Sequence, residues 1–176
     1  GTLFTNDSEK ANLLNSYFES VFIKDDGNLP NFPSRLPSAN PPIELNDIHI
    51  SPAILKRAMD KLKTNSAAGP DSLPPIFYRN AQHSLKYPLT ILFRNCIDLH
   101  ELPNEWKFSI ITPKFKSGSP SLPSNYRPIA LTCTSCKLLE TIIADQLTDF
   151  LLSLNLITKA QHGFLKRHST ATNLME

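Results

Sequence analysis

Leu13, Leu14, Tyr17, Phe18, Val21 and Phe22 recur at the spacing of one helical face. Asn6, Asp7 or Ser8 can cap that helix, because a short polar side chain accepts from the free amides of a first turn, and Asp25-Asp26-Gly27 ends it. From Asn28 to Pro42 the pattern dissolves into proline, serine and asparagine, which predicts an extended surface loop tethering the first helix to the rest. Ser51-Pro52 is a cap followed by a first-turn proline. Ile54, Leu55, Ala58, Met59 and Leu62 then form one apolar stripe, with Lys56, Arg57, Lys61 and Lys63 on the other faces, and this helix stops at Thr64-Asn65-Ser66. Ala67-Ala68-Gly69-Pro70-Asp71 follows as a loop of small residues with a forced turn.

Pro74-Pro75 opens a short helix through Ala81, and a longer one covers about Leu85 to His100, with Pro88 in its first turn and Leu89, Leu92, Phe93, Cys96, Ile97 and Leu99 mostly inward. Phe108 to Thr112 and Pro128 to Thr132 are short strand-like runs around a turn-rich polar stretch, which predicts an antiparallel pair with a long basic loop. The strongest helix carries Leu138, Leu139, Ile142, Ile143, Leu147, Phe150 and Leu151. Burying most of these contributes on the order of 10 kcal/mol before entropy is charged. A last helix starts at Ser169 or Thr170. The fold class is α+β: mainly helical with a small antiparallel β-hairpin. Both the Leu13–Phe22 stripe and the Leu138–Leu151 stripe are read as core.

At 176 residues the chain can build one domain with a sizeable core. Fifteen prolines against five glycines imply stiff, extended connections. The net charge of +2 names no partner, but its distribution does more. Between Glu105 and Glu140 there is no acidic residue, while Lys107, Lys114, Lys116, Arg127 and Lys137 fall there. A local positive field of that kind suits nucleic acid or a triphosphate. Cys133 and Cys136 form half of a zinc-site pattern with no second Cys/His pair, so they read as buried free thiols in a reducing compartment. No segment is long enough to cross a membrane and no signal peptide opens the chain, which leaves the cytoplasm or nucleus as the expected location.

Motifs narrow the field. Trp106-Lys107 and Ile110-Ile111-Thr112-Pro113-Lys114, then Asn125-Tyr126-Arg127-Pro128-Ile129-Ala130-Leu131, then Gln161-His162-Gly163-Phe164, together resemble the fingers of reverse transcriptases from LINE-type (non-LTR) retrotransposons. Leu3 to Phe22 resembles the region between the endonuclease and polymerase parts of such elements, and Ala67 to Asp71 their N-terminal extension loop, with Ser72 where the family usually has a second glycine. The resemblance implies an incomplete right-hand polymerase fold. Residues 1–50 would be an N-terminal helix and Pro-rich linker; residues 51–176 would be a fingers region with a template loop (66–72), a basic hairpin (107–132) and a helix leading to the palm (136–154). It further implies that Arg127 and Lys114, with Lys116 as the alternative lysine, grip the triphosphate of the incoming nucleotide, and that Lys63, Gly69 and Lys107 lie against the template. Lys166-Arg167-His168 replaces the family's basic-glycine step after Phe164.

Arginine offers a planar fork of donors and lysine a movable point charge, so the pair can position a triphosphate. Phosphoryl transfer itself needs metal ions held by carboxylates. In the family these carboxylates lie in palm motifs beyond the residues matched here, so no cofactor is expected in this chain and Mg2+ is implied only for the full-length parent. Asp25-Asp26 lacks a strand context and Asp71 reads as a turn residue, so neither is a catalytic candidate. Trp106 reads as a core anchor, Tyr126 as either a packing or a base-stacking ring, His162 as locally hydrogen-bonded, and Gly163 as a site of close backbone approach or positive φ. The expected partners are an RNA template, bound weakly, and the palm or a replacement protein, with self-association if the palm-facing surfaces are open. A domesticated, non-catalytic RNA-binding or protein-interaction module is the second reading, and an unrelated helical domain the third.

Overall fold

The Ser51 side chain accepts from the Ile54 amide (3.4 Å) and caps helix α2 (Pro52–Asp60), with Pro52 in the first turn where no donor is needed. The protein is described by a computed structural model that covers residues 6–23, 25–28, 43–158, 160–165 and 168–174. Leu55 and Met59, one turn apart, leave α2 fully buried. They meet Phe93 and Cys96 of α4 (Gln82–Asp98), Leu138, Leu139 and Ile142 of α5 (Thr134–Ser153), and Tyr78 of α3 (Pro75–Asn80) in one cluster. Trp106 closes it from below the hairpin, its ring edge-on to Phe93 at 5.8 Å, so the anchor role holds.

The segment before α2 is strapped to this core at two points. Arg94 Nη1 donates to both carboxylate oxygens of Asp47 (3.1 and 3.2 Å). The Gln146 amide both donates to the His49 carbonyl (2.9 Å) and accepts from the His49 amide (2.8 Å), so one side chain replaces a neighbouring strand.

β1 (Ile110–Phe115) and β2 (Tyr126–Leu131) form a two-stranded antiparallel hairpin in which Lys114 faces Arg127 and Pro113 faces Pro128. The Lys116 amide donates to the Asn125 carbonyl (2.8 Å), and this sets the phase of the ladder. Residues 110, 112, 114, 127, 129 and 131 turn their amides inward, whereas those at 113 and 128 turn outward. Both prolines therefore sit where a missing N–H removes no ladder bond. The pairing runs closer to the tip than the apolar runs at 108–112 and 128–132 predict, because strand hydrogen bonds follow this phase rather than hydropathy.

The helical expectations hold with corrections. Pro88 lies inside α4, not in its first turn, because α4 begins at Gln82, directly after the α3 end at Ala81. α2 ends at Asp60, short of the expected Thr64. Leu99 follows the end of α4 and is 66% exposed. α1 (Asp7–Ser20), capped by Asn6, stops before Val21 and Phe22. Its stripe is not core: only Phe18 is buried, and Phe22 is 65% exposed. The C-terminal half of α5 also opens, with Leu147 and Leu152 exposed. α6 (Thr170–Leu174) follows Ser169, whose hydroxyl accepts from the Thr172 amide (3.2 Å). The proline-rich stretch expected from Asn28 to Pro42 lies, beyond Asn28, outside the described residues, as do Lys166 and Arg167. No helix of the described residues is long and apolar enough to cross a membrane.

Candidate functional site

Alternation along the hairpin sorts its side chains onto two faces. Lys114, Lys116 and Arg127 share one face with Thr112, Asn125 and Ile129; Pro113, Phe115, Tyr126 and Pro128 share the other. Lys114, Lys116 and Arg127 are all exposed. The ion pairs among the described residues use Lys10, Lys56, Lys61 and Arg94, and none reaches these three cations. Lys114 and Arg127 stand as directly opposed like charges in a hydrogen-bonded pair, about 5.5 Å apart at Cα. Such a pair is unfavourable by some tenths of a kcal/mol, and an anion placed between them reverses the sign.

The tip is tied by its own side chains. Gly118 has φ +91°, and a Cβ there would meet Asn125 Nδ2 at 2.7 Å. Asn125 Nδ2 donates to the Ser119 carbonyl (2.9 Å), and the Tyr126 hydroxyl donates to the Pro120 carbonyl (2.8 Å). The Tyr126 ring packs on Phe115 at 5.4 Å, the packing contact that was one of its two expected roles. Sequence reasoning missed this work by Asn125. The signal was an asparagine entering a strand after a glycine- and serine-rich turn.

The loop at 66–72 is docked on the base of the hairpin. Gly69 is buried, and a Cβ on it would lie 2.5 Å from both the carbonyl carbon and oxygen of Thr132 and 2.6 Å from Cys133 N. The Asp71 carboxylate accepts from the Leu73 amide (3.1 Å), the turn role expected for it, and the Thr134 hydroxyl donates to the Leu73 carbonyl (3.2 Å). Ser72 has φ +58°, a left-handed conformation that glycine adopts freely. Ser72→Gly should therefore stabilise the fold by about 0.5 kcal/mol, the relief of left-handed strain less the added freedom of the unfolded chain, read as a rise in the denaturant midpoint. Lys63 is exposed in the turn after α2, and Lys107 donates to Asn104 Oδ1 (3.3 Å) in the 3₁₀ turn before β1.

His162 is buried, its Nδ1 2.9 Å from Thr172 Oγ1, as a locally bonded ring should be. Gly163 departs from expectation. It does not have a positive φ, and among the described residues a Cβ there would meet only the Gln161 side-chain nitrogen, at 3.5 Å; the left-handed residue is Phe164 at φ +65°.

Cys96, Cys133 and Cys136 are free and buried, and burial pushes all three thiols up. Cys136 is pushed from 9.0 to about 11, first by burial and then by the Glu140 carboxylate beside it. The folded state thus keeps a proton that the unfolded chain releases. Its stabilising contribution is complete below pH 9 and is lost as pH climbs towards 11. Urea midpoints should fall over that interval, and Cys136→Ala should flatten the fall. Among the described residues no group of three or more His, Cys, Asp or Glu side chains could hold a metal ion.

No protein-family model matches the chain. Curated proteins do. The chain is 25% identical over 175 residues to the probable RNA-directed DNA polymerase from transposon BS of Drosophila melanogaster, across 97% of this chain and 19% of that protein. It is 31% identical over 87 residues to the probable RNA-directed DNA polymerase from transposon X-element of the same fly, across 49% of this chain and 10% of that protein. This chain is similar to RNA-directed DNA polymerases of Drosophila non-LTR transposons. The RNA-directed DNA polymerase from mobile element jockey, also of D. melanogaster, is 28% identical over 121 residues, across 68% of this chain and 13% of its own length. The chain thus spans a fifth or less of each polymerase relative.

Proposed function

We propose that this chain is the fingers and N-terminal-extension part of a non-LTR reverse transcriptase, holding the incoming deoxynucleoside triphosphate and the RNA template for a palm that completes the right-hand fold. The observation that carries this reading is the exposed, directly opposed Lys114–Arg127 pair, a two-cation clamp with no carboxylate partner among the described residues. Arg127 and Lys114 are the triphosphate contacts, with Lys116 next to them on the same face. The loop carrying Gly69, with Lys63 ahead of it and Lys107 before β1, is the template side; Gly69 serves by letting that loop lie flat on the β2–α5 junction. Residues 1–50 are the leading helix and linker, and 51–176 the fingers region.

Such an enzyme uses Mg2+ for phosphoryl transfer. The part proposed for Lys114, Lys116 and Arg127 is to bind and orient the triphosphate, since cations of this kind position phosphates and do not themselves hold a metal ion. The buried free thiols support a reducing compartment, nucleus or cytoplasm. Large apolar side chains open to solvent, among them Phe22, Phe108, Ile111 and Leu152, support a protein neighbour: the palm, a substitute partner in a domesticated module, or a second copy.

Titrating the chain with tripolyphosphate and, separately, with single-stranded RNA at two ionic strengths tests the reading. Both should bind weakly and lose affinity as salt rises. Silence at low salt for both would point to a protein-interaction module instead.

A further inference from the structure

The hairpin that carries the cationic pair has little to hold it in place. Every residue of β1 is exposed, as are Arg127, Pro128, Ile129 and Ala130 of β2. A lone two-stranded hairpin is marginal in water, and here the two opposed cations push its strands apart near the tip. Yet the tip makes regular bonds: Lys116 to Asn125 (2.8 Å), Leu122 to Ser119 (3.2 Å) and Asn125 to Leu122 (3.0 Å).

α1 supplies the missing support. It packs against the 3₁₀ turn Pro123–Asn125, which runs straight into β2 ahead of Arg127. Phe18 is 4% exposed and is the buried residue of α1, yet it does not belong to the cluster formed by α2, α3, α4 and α5. That core therefore does not account for its burial, and the part of the hairpin that α1 packs against is the 3₁₀ turn at the tip. We infer that Phe18 is a positioning residue for the cationic face: α1 braces the tip through it and holds Lys114 and Arg127 side by side in the absence of ligand. A clamp kept closed in advance binds its anion more tightly than one that must close on binding. The brace rests on the proposed triphosphate role for its purpose, though not for its existence.

Amide hydrogen exchange of Phe18→Ala, read by NMR, separates the possibilities. Exchange at the Lys116, Leu122 and Asn125 amides should speed up about tenfold while the Leu55 and Ile142 amides keep their protection. Tripolyphosphate affinity should fall about tenfold with the fraction of closed tip, and Phe18→Leu should restore much of both effects. Unchanged tip exchange, or equal acceleration at Leu55 and Ile142, would overturn the brace; a loosened tip that binds tripolyphosphate as before would overturn Phe18 as a positioning residue for the two cations. A wild-type chain that ignores tripolyphosphate, but whose tip loosens in Phe18→Ala, would uphold the brace and remove the phosphate reading alone.

Discussion

Arg127→Ala is expected to lower deoxynucleoside-triphosphate use by the complete polymerase about tenfold to a hundredfold, while template RNA binding stays within about twofold. The size follows from one charge-assisted contact of about 1.5–3 kcal/mol lost from a triphosphate. Arg127→Lys should fall between, since it keeps the charge and loses the planar fork. The folded chain should lose no stability, because the substitution removes one of two facing positive charges; its Tm should hold or rise slightly. Steady-state kcat/KM for the nucleotide, template affinity by filter binding and a thermal melt check the three parts. A drop confined to template affinity would assign Arg127 to the wrong strand of the chemistry.

Gly69→Ala should be the most destabilising single-methyl change in the loop. The added carbon would press on Thr132 C and O and on Cys133 N, all backbone atoms at 2.5–2.6 Å, and no side chain can swing aside to make room. Relief requires lifting the loop from the junction, which also strains the Thr134–Leu73 hydrogen bond. We expect a loss of about 3 kcal/mol, the upper end for overpacking, and hence a Tm lower by roughly 6–12 °C for a chain of this length. Circular-dichroism melts and urea midpoints read it directly. A variant that melts like the wild type would mean that the loop does not lie on Thr132–Cys133.

Much of the helical framework was legible in the sequence because it depends on local chemistry. Ser51-Pro52 announces α2, Pro74-Pro75 announces α3, and the apolar spacing from Leu138 to Ile142 announces the buried face of α5. The hairpin was legible as a pair but not in its phase, since hydropathy marks apolar runs and not which amides face inward. α1 shows the opposite failure: a good apolar stripe that stays mostly open, because periodicity says that a face can be buried and not what buries it. Of the site, Lys114 and Arg127 were named from their motif, but that they oppose each other across the ladder came only from the register. The packing reason for Gly69 likewise needed Thr132 and Cys133, which lie far along the chain.

Pro113 and Pro128 face each other at mid-hairpin with their ring nitrogens pointing away from the shared ladder. Among the described residues no further strand pairs with either outer border of this ribbon, and an open border invites a strand from another molecule to add on. A newcomer would look for a donor at the centre of either border and find a ring there instead. The ribbon is thereby kept to two strands: its cationic face stays exposed without seeding strand-by-strand aggregation. Replacing both prolines would leave the charges in place and remove that safeguard.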